Sequence, residues 1–193
     1  MPFDFKPDGV LPEVIHVQPK RFGDDRGWFA ETFRADVFAE AGITEPFVQD
    51  NHSWSAEKGT IRGFHFQITP NAQAKLVRCL KGRILDVAVD IRKGSPRFGR
   101  ATSVELSAAN GAQLYIPRGF AHAFCTLEET CEVAYKTDAY YAPIHERGIA
   151  HDDPDIGIDW PVDPARRILS DKDKVLPRLA ELVEVPELVG GTL

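Results

Sequence analysis

The sequence predicts an all-β chain, a sandwich, jelly roll or barrel with a few short helices. Three observations carry that expectation. Short alternating or β-branched runs bounded by turn residues recur along the whole chain. Fourteen prolines and fifteen glycines in 193 residues punctuate it too often for long helices. Helical periodicity is confined to two short stretches. Many short strands with few helices bury a core as packed sheets or as a closed barrel.

In chain order the expected strands are residues 14–18, 28–33, 47–53, 62–67, 75–79, 83–91, 101–106, 113–116, 121–127, 132–138 and a short one near 167–169. The clearest is Ile84-Leu-Asp-Val-Ala-Val-Asp-Ile91, apolar on one face, with Asp86, Ala88 and Asp90 on the alternating set. Lys81-Gly82 and Lys93-Gly-Ser-Pro96 supply turns at its two ends. Residues 34–41 read as a short helix with Gly42 just past its end. Residues 174–182 read as a second helix, interrupted near Pro177. Residues 185–193 read as a loose tail. With no repeat, low-complexity tract or linker, residues 1–193 form a single domain whose core spans about 14–182.

Hydrophobic residues make up 43% and charged residues 27% of the chain, an ordinary globular composition. A chain this long buries roughly 70% of its unfolded surface, so it folds without disulfide or metal staples. No apolar run approaches the ~20 residues of a membrane span. The N-terminal Met-Pro-Phe-Asp-Phe-Lys has neither the basic nor the apolar region of a secretory signal. The expectation is a cytoplasmic protein that touches no membrane. A net charge of -6 argues against a basic face for nucleic acid, while a local pocket could still take a small anion. Cys79, Cys125 and Cys131 lack Cys-x-x-Cys spacing, which argues against a disulfide framework or a zinc knuckle and for buried thiols in a reducing compartment.

The segment Gly111-Ala-Gln-Leu-Tyr-Ile-Pro117-Arg-Gly119-Phe-Ala-His122 has the spacing of the second sequence signature of cupin jelly rolls. A strand ends in a Pro-Gly turn, and the next places His122 inside a barrel. The companion signature would supply two histidines one residue apart and then an acid. Here Arg62-Gly-Phe-His-Phe-Gln67 has His65 followed by Gln67, and Lys75 stands downstream. One histidine, an amide and a cation make a poor metal site, so no metal is expected. Strict alternation puts Gly63, His65 and Gln67 on one face and Arg62 on the other, unless a bulge turns Arg62 to the mouth. His65 taken alone reads as readily as a hydrogen-bonded structural histidine.

Tyr135, Tyr140 and Tyr141 form the next group. A phenol can donate a proton once neighbours tune it. Neighbouring tyrosines point to opposite faces of an extended chain, so at most one of Tyr140 and Tyr141 faces a given pocket. Arg26, Arg62, Lys75, Arg118 and Lys172 could each bind phosphate or serve as solvated surface charges.

Read together, these segments resemble the dTDP-4-dehydrorhamnose 3,5-epimerases. The stretches that carry the resemblance begin with Phe22-Gly-Asp-Asp-Arg-Gly27 and Phe29-Ala-Glu31, then Phe47-Val-Gln-Asp-Asn-His-Ser53. They continue with Ile61-Arg-Gly-Phe-His-Phe-Gln67, Ala72-Gln-Ala-Lys-Leu-Val-Arg78 and Asp86-Val-Ala-Val-Asp-Ile-Arg92. Ile116-Pro-Arg-Gly-Phe-Ala-His122, Tyr135-Lys136, Tyr140-Tyr-Ala-Pro143 and Leu169-Ser-Asp-Lys-Asp173 complete the set, so the match covers about residues 14–182.

The resemblance implies a cupin-type jelly-roll barrel and inversion at C3 and C5 of dTDP-4-dehydro-6-deoxy-D-glucose, without a cofactor. Both carbons flank the C4 ketone, so an enolate acidifies their protons. There is no Gly-x-Gly-x-x-Gly after a strand to hold a nicotinamide. The resemblance places the base on His65, its orienting carboxylate on Asp173 (with Asp171 close enough to be confused with it), the acid on Tyr135 and the enolate-stabilising cation on Lys75. It places substrate contacts on Arg26, Glu31, Gln49, Asn51, Arg62, Lys75, His122, Glu146 and Lys172, and thymine stacking on Tyr141. Arg26 and Glu31 would reach the nucleotide end from the partner in a homodimer. Ala123 after the histidine, and Phe64-His65-Phe66 in place of Leu-His-Tyr, depart from the commoner pattern and bear on pocket shape. A 3-only or 5-only epimerase, or a non-catalytic small-ligand cupin, are the competing readings.

Overall fold

The computed structural model describes residues 2–187. Thirteen strands and one short helix appear in the order β1 Phe3–Pro7, β2 Ile15–Pro19, β3 Phe22–Asp24, β4 Gly27–Phe29, α1 Ala35–Glu40, β5 Gln49–Ser55, β6 Ile61–Gln67, β7 Lys75–Lys81, β8 Arg83–Asp90, β9 Ala101–Ser107, β10 Gln113–Ile116, β11 Phe120–Thr126, β12 Cys131–Thr137 and β13 Glu146–Gly148. Two antiparallel sheets form the body, ordered β1-β2-β10-β7-β12-β5 and β13-β6-β11-β8-β9. This is the expected jelly-roll architecture, and β3–β4 stand apart as a separate hairpin.

Alternation explains the layers. Val77, Cys79, Leu114, Ile116, Cys131 and Val133 of the large sheet meet Ile84, Ala88, Leu106, Phe120 and Phe124 of the small one. The opposite face of the small sheet is not solvated. Phe64, Phe66, Val87, Val89, Ala121 and Ala123 pack there under Ile149, Ile156, Trp160 and Leu179 of the C-terminal segment. β8 is therefore buried on both sides, and the face bearing Asp86 looks into the barrel. The outer face of the large sheet is covered at one end by Val37 and Phe38 of α1 against Phe3, Val17, Leu76 and Tyr115. Burying a side chain such as Phe38 contributes about 2–3 kcal/mol.

Several expected elements differ. β1 lies where no strand is anticipated, pairing with β2 through Phe3–Pro19 to Pro7–Ile15. The run 28–33 is not one strand. Asp24 accepts from the Arg26 amide, Gly27 takes φ +133°, and a tight hairpin forms that ends at Phe29. Residues 174–182 are not helical. Two 3₁₀ turns, Asp173–Val175 and Leu179–Glu181, flank Pro177, whose missing N–H breaks an α-ladder; its carbonyl accepts from Ala150 instead. Near 167–169 only Ile168 bridges, parallel to Thr60. β13 pairs with β6 at Glu146–Gln67 and Gly148–His65 and is too short for a periodic signal. Of the tail expected to be loose, Glu187 bridges Lys93, and residues 188–193 lie outside the described residues. The helix expected at 34–41 forms as α1, followed by Gly42 at φ +86°.

Candidate active site

One end of the barrel is open and holds a cavity of about 620 Å³. Of the thirteen expected site residues, eleven line it: Gln49, Asn51, Arg62, His65, Lys75, His122, Tyr135, Tyr141, Glu146, Lys172 and Asp173. Arg26 and Glu31 do not. Arg26 sits on the exposed hairpin turn paired with Asp24, and Glu31 lies 3.7 Å from Arg34.

A bulge places the first two residues. His122 pairs with His65 and Phe124 pairs with Arg62, so three steps of β6 face two of β11. The alternation is broken there, and Arg62 and His65 both reach the cavity, correcting the strict-alternation reading. The bulge depends on Gly63, at φ +116°, where a Cβ would lie 2.4 Å from the His122 carbonyl oxygen. Arg62 is then fixed by Nε to Ser55 Oγ at 3.2 Å and by the Trp54 carbonyl at 3.0 Å.

His65 Nε2 lies 2.6 Å from Asp173 Oδ1. Asp173 is brought there by the turn after Ser170, whose Oγ accepts from the Asp173 amide at 3.2 Å. Burial pushes the Asp173 carboxyl up, but its hydrogen bond to His65 and the His65 charge outweigh this, so it lies below the ordinary carboxylate range. Asp171 is exposed and pairs with Lys174 at 2.8 Å, so Asp173, not Asp171, is the acid that meets His65.

Lys75 begins β7. Its preceding amide, that of Ala74, donates to Asp138 Oδ1 at 2.6 Å, and Arg118 Nε holds that carboxylate at 2.7 Å. Lys75 Nζ donates to the His65 carbonyl at 3.0 Å. Burial brings its pKa down to about 8, against the opposing charges of Asp86 and Glu146. Tyr135 enters from β12, in the other sheet from β6, so phenol and imidazole flank the cavity from opposite walls. Burial raises the Tyr135 pKa, and the Arg62 charge opposes that rise.

At the mouth, Glu146 joins two segments. Its Oε2 accepts from the Tyr141 hydroxyl at 2.6 Å, and its Oε1 lies 2.6 Å from Lys172 Nζ. Tyr140 is exposed and does not line the cavity, as the opposite-face argument requires.

Sequence reasoning named Asp86 as a strand residue and missed its place in the site. It is fully buried and lies 2.7 Å from His122 Nε2, with Oδ2 buried and unpartnered among the described residues. A carboxylate on the inward set of a doubly buried strand was the available signal. The donors do not fit a cupin metal. Gln67 spends its amide on main chain, and Lys75 presents a cation. No group of three His, Cys, Asp or Glu suited to a metal occurs among the described residues.

The family model described as dTDP-4-dehydrorhamnose 3,5-epimerase matches residues 9–181. A dTDP-4-dehydrorhamnose 3,5-epimerase of Shigella flexneri is 54% identical over 164 residues, covering 84% of this chain and 89% of that protein. A crystal structure of a dTDP-6-deoxy-D-glucose-3,5-epimerase from Legionella pneumophila, in complex with dTDP-4-keto-L-rhamnose, superposes with TM-score 0.92 at 42% identity and covers 97% of this chain and 100% of that one. A 3'-monoepimerase from Streptomyces bikiniensis, in complex with dTDP-quinovose, superposes at 0.84 with 36% identity, covering 91% and 87%. With a family model spanning most of its length and relatives at about half identity, the chain belongs to the dTDP-4-dehydrorhamnose 3,5-epimerase family.

Proposed function

We propose that the protein inverts C3 and C5 of dTDP-4-dehydro-6-deoxy-D-glucose to give dTDP-4-dehydro-L-rhamnose, by proton transfer alone. The observation that carries the mechanism is the placement of His65 and Tyr135 on opposite walls of one cavity, with Lys75 between the sheets. With Asp173 accepting from Nε2, neutral His65 keeps Nδ1 free as the base, and the carboxylate stabilises the imidazolium that forms. His65 takes the proton α to the ketone. Lys75 stabilises the enolate oxygen, where a preorganised cation counts most. Tyr135 gives a proton to the opposite face of the same carbon. Exchange with solvent then removes the proton from His65 and restores the Tyr135 phenol, and repetition at the second carbon completes the inversion.

Arg62 and Lys172 suit the diphosphate, Tyr141 the thymine face, and Gln49, Asn51, His122 and Glu146 the remaining polar groups. Base stacking of this kind contributes about 1–3 kcal/mol. Arg26 and Glu31 stand outside the cavity next to the exposed Phe22, Trp28 and Phe29 of the hairpin. That placement supports a homodimer in which the hairpin of one subunit completes the nucleotide end of the other. Three buried free thiols support a reducing compartment, and no described helix is long and apolar enough to cross a membrane.

Proton NMR of the dTDP-4-keto sugar in deuterated water tests the reading. Two exchanging positions with inversion are expected; one would make the enzyme a monoepimerase like the Streptomyces bikiniensis relative, and none would leave a binding protein. His65→Asn should abolish exchange at both carbons. Tyr135→Phe should lose inversion by a factor on the order of 10²–10⁴, yet keep some deuterium wash-in, because His65 can return a solvent-derived proton to the face it came from. A folded Tyr135→Phe that inverts at the native rate would remove Tyr135 as the acid.

A further inference from the structure

Gln67 stands where a cupin would place its second histidine, and both polar atoms of its amide bond to main chain. The side chain is buried. Its Nε2 donates to the Asn71 carbonyl at 2.6 Å and to the Tyr140 carbonyl at 3.3 Å, and its Oε1 accepts from the Ala142 amide at 2.7 Å. Two of these three contacts bracket Tyr141. Residues 138–142 lie outside both sheets, so no strand ladder satisfies their main chain. Glutamine side chains do so instead: Gln49 Oε1 accepts from the Tyr141 amide at 3.0 Å, and Gln73 Nε2 donates to the Ala139 carbonyl at 2.7 Å. Strand register adds a second hold, because Gln67 pairs directly with Glu146, the residue that accepts from the Tyr141 hydroxyl.

We propose that Gln67 is a positioning residue for the nucleotide end of the substrate: its amide fixes the main chain on both sides of Tyr141 and thereby holds the phenol ring over the cavity mouth. The inference rests on the reading of Tyr141 as the thymine platform and adds a residue that lines the same cavity but spends its amide on main chain. A ring carried on an unfastened loop must be ordered at the moment of binding, and that ordering is subtracted from affinity. His65 and Lys75 are held by Asp173 and by the His65 carbonyl, so the loss falls on binding more than on proton transfer.

The test uses the full-length enzyme and three substitutions, Gln67→Met, Gln67→Glu and Tyr141→Ala. Gln67→Met keeps length and removes every polar contact. Gln67→Glu keeps an acceptor for Ala142 and loses the donor to Asn71 and Tyr140, and it serves if the methionine variant does not fold. For either, KM for the dTDP-4-keto sugar and Kd for dTDP by calorimetry should rise roughly tenfold, the worth of ordering one side chain and its loop, with kcat little changed. The distinguishing readout is the double variant. Adding Tyr141→Ala to Gln67→Met should cost little further affinity, because the ring is already displaced. Additive losses, an unchanged dTDP Kd in folded variants, or a fall in kcat at constant KM would overturn the proposal. A wild-type enzyme that binds dTDP but does not turn over the sugar would instead overturn the function proposed above, so the two failures are told apart.

Discussion

Lys75 supplies the most quantitative expectation. Burial takes its pKa from a lysine's ordinary 10.5 to about 8, roughly 3 kcal/mol of lost preference for the charged form. The proposed enolate needs the ammonium, so activity should be present below that pKa and lost as pH rises through it. About nine-tenths of the enzyme carries the charge at pH 7 and about one-tenth at pH 9, so kcat/KM should drop by roughly an order of magnitude across that span. The negative charges of Asp86 and Glu146 oppose the drop in pKa, and Asp86 is the cleaner one to remove. Asp86→Asn leaves an acceptor for His122 Nε2 and deletes only the charge, so the alkaline limb should move to lower pH. Its fold deficit should grow as pH rises through about 8 and shrink as pH falls. Lys75→Met should abolish the limb and slow the reaction by about 10²–10³-fold, the usual scale for losing one oxyanion donor. The assay is the pH–rate profile of epimerisation under saturating and limiting sugar nucleotide. A flat profile to pH 9, or an Asp86→Asn enzyme with the wild-type limb, would refute the assignment of Lys75 as the enolate cation.

Two further outcomes follow from the site and the hairpin. Prolonged chelation should leave activity intact, because Gln67 and Lys75 occupy metal-ligand positions with groups that do not ligate; recovery of lost activity by one divalent ion would contradict this. Trp28→Ser together with Phe29→Ser on the exposed hairpin should shift sedimentation from dimer toward monomer and raise KM, since Arg26 and Glu31 would leave the neighbouring cavity; a monomeric wild type with full activity would refute the shared site.

The architecture was legible where one rule governed each residue. Alternation gave β7 through β12 nearly to their ends, and Gly42 after a short amphipathic run gave α1. It failed where tertiary contacts decide. The Pro177 carbonyl receives Ala150, so the chain near it makes 3₁₀ turns rather than a helix. In the site, the family resemblance pointed to His65, Tyr135 and Asp173, which line one cavity, but not to which way Arg62 points. That direction follows from a three-against-two bulge at Gly63, a property of how β6 meets β11 and not of either strand alone. Asp86 was hidden for a related reason: β8 is buried on both faces, so its pattern does not say which face holds the cavity.

The barrel explains why these replacements work together. A jelly roll aims residues of β6, β7 and β11 into one cavity whatever their chemistry, so the same positions can hold a cation of the protein's own. In the proposed mechanism Lys75 provides, without ligands, the positive charge that an enolate requires. An ammonium so deeply buried would lose its proton unless anionic groups stood near it. Asp86 and Glu146 are those groups, and each also holds a second partner in place: Asp86 the ring of His122, and Glu146 the ends of Tyr141 and Lys172. Charge balance for the chemistry and fixation of the substrate-facing side chains are thus the same contacts. It follows that removing the Glu146 carboxylate should disturb both the pH profile and the binding of substrate, because Tyr141 and Lys172 lose their partner with the charge. Asp86→Asn, which keeps an acceptor for His122, should move the pH profile, whereas a residue that only positions, such as Gln67, should disturb binding alone.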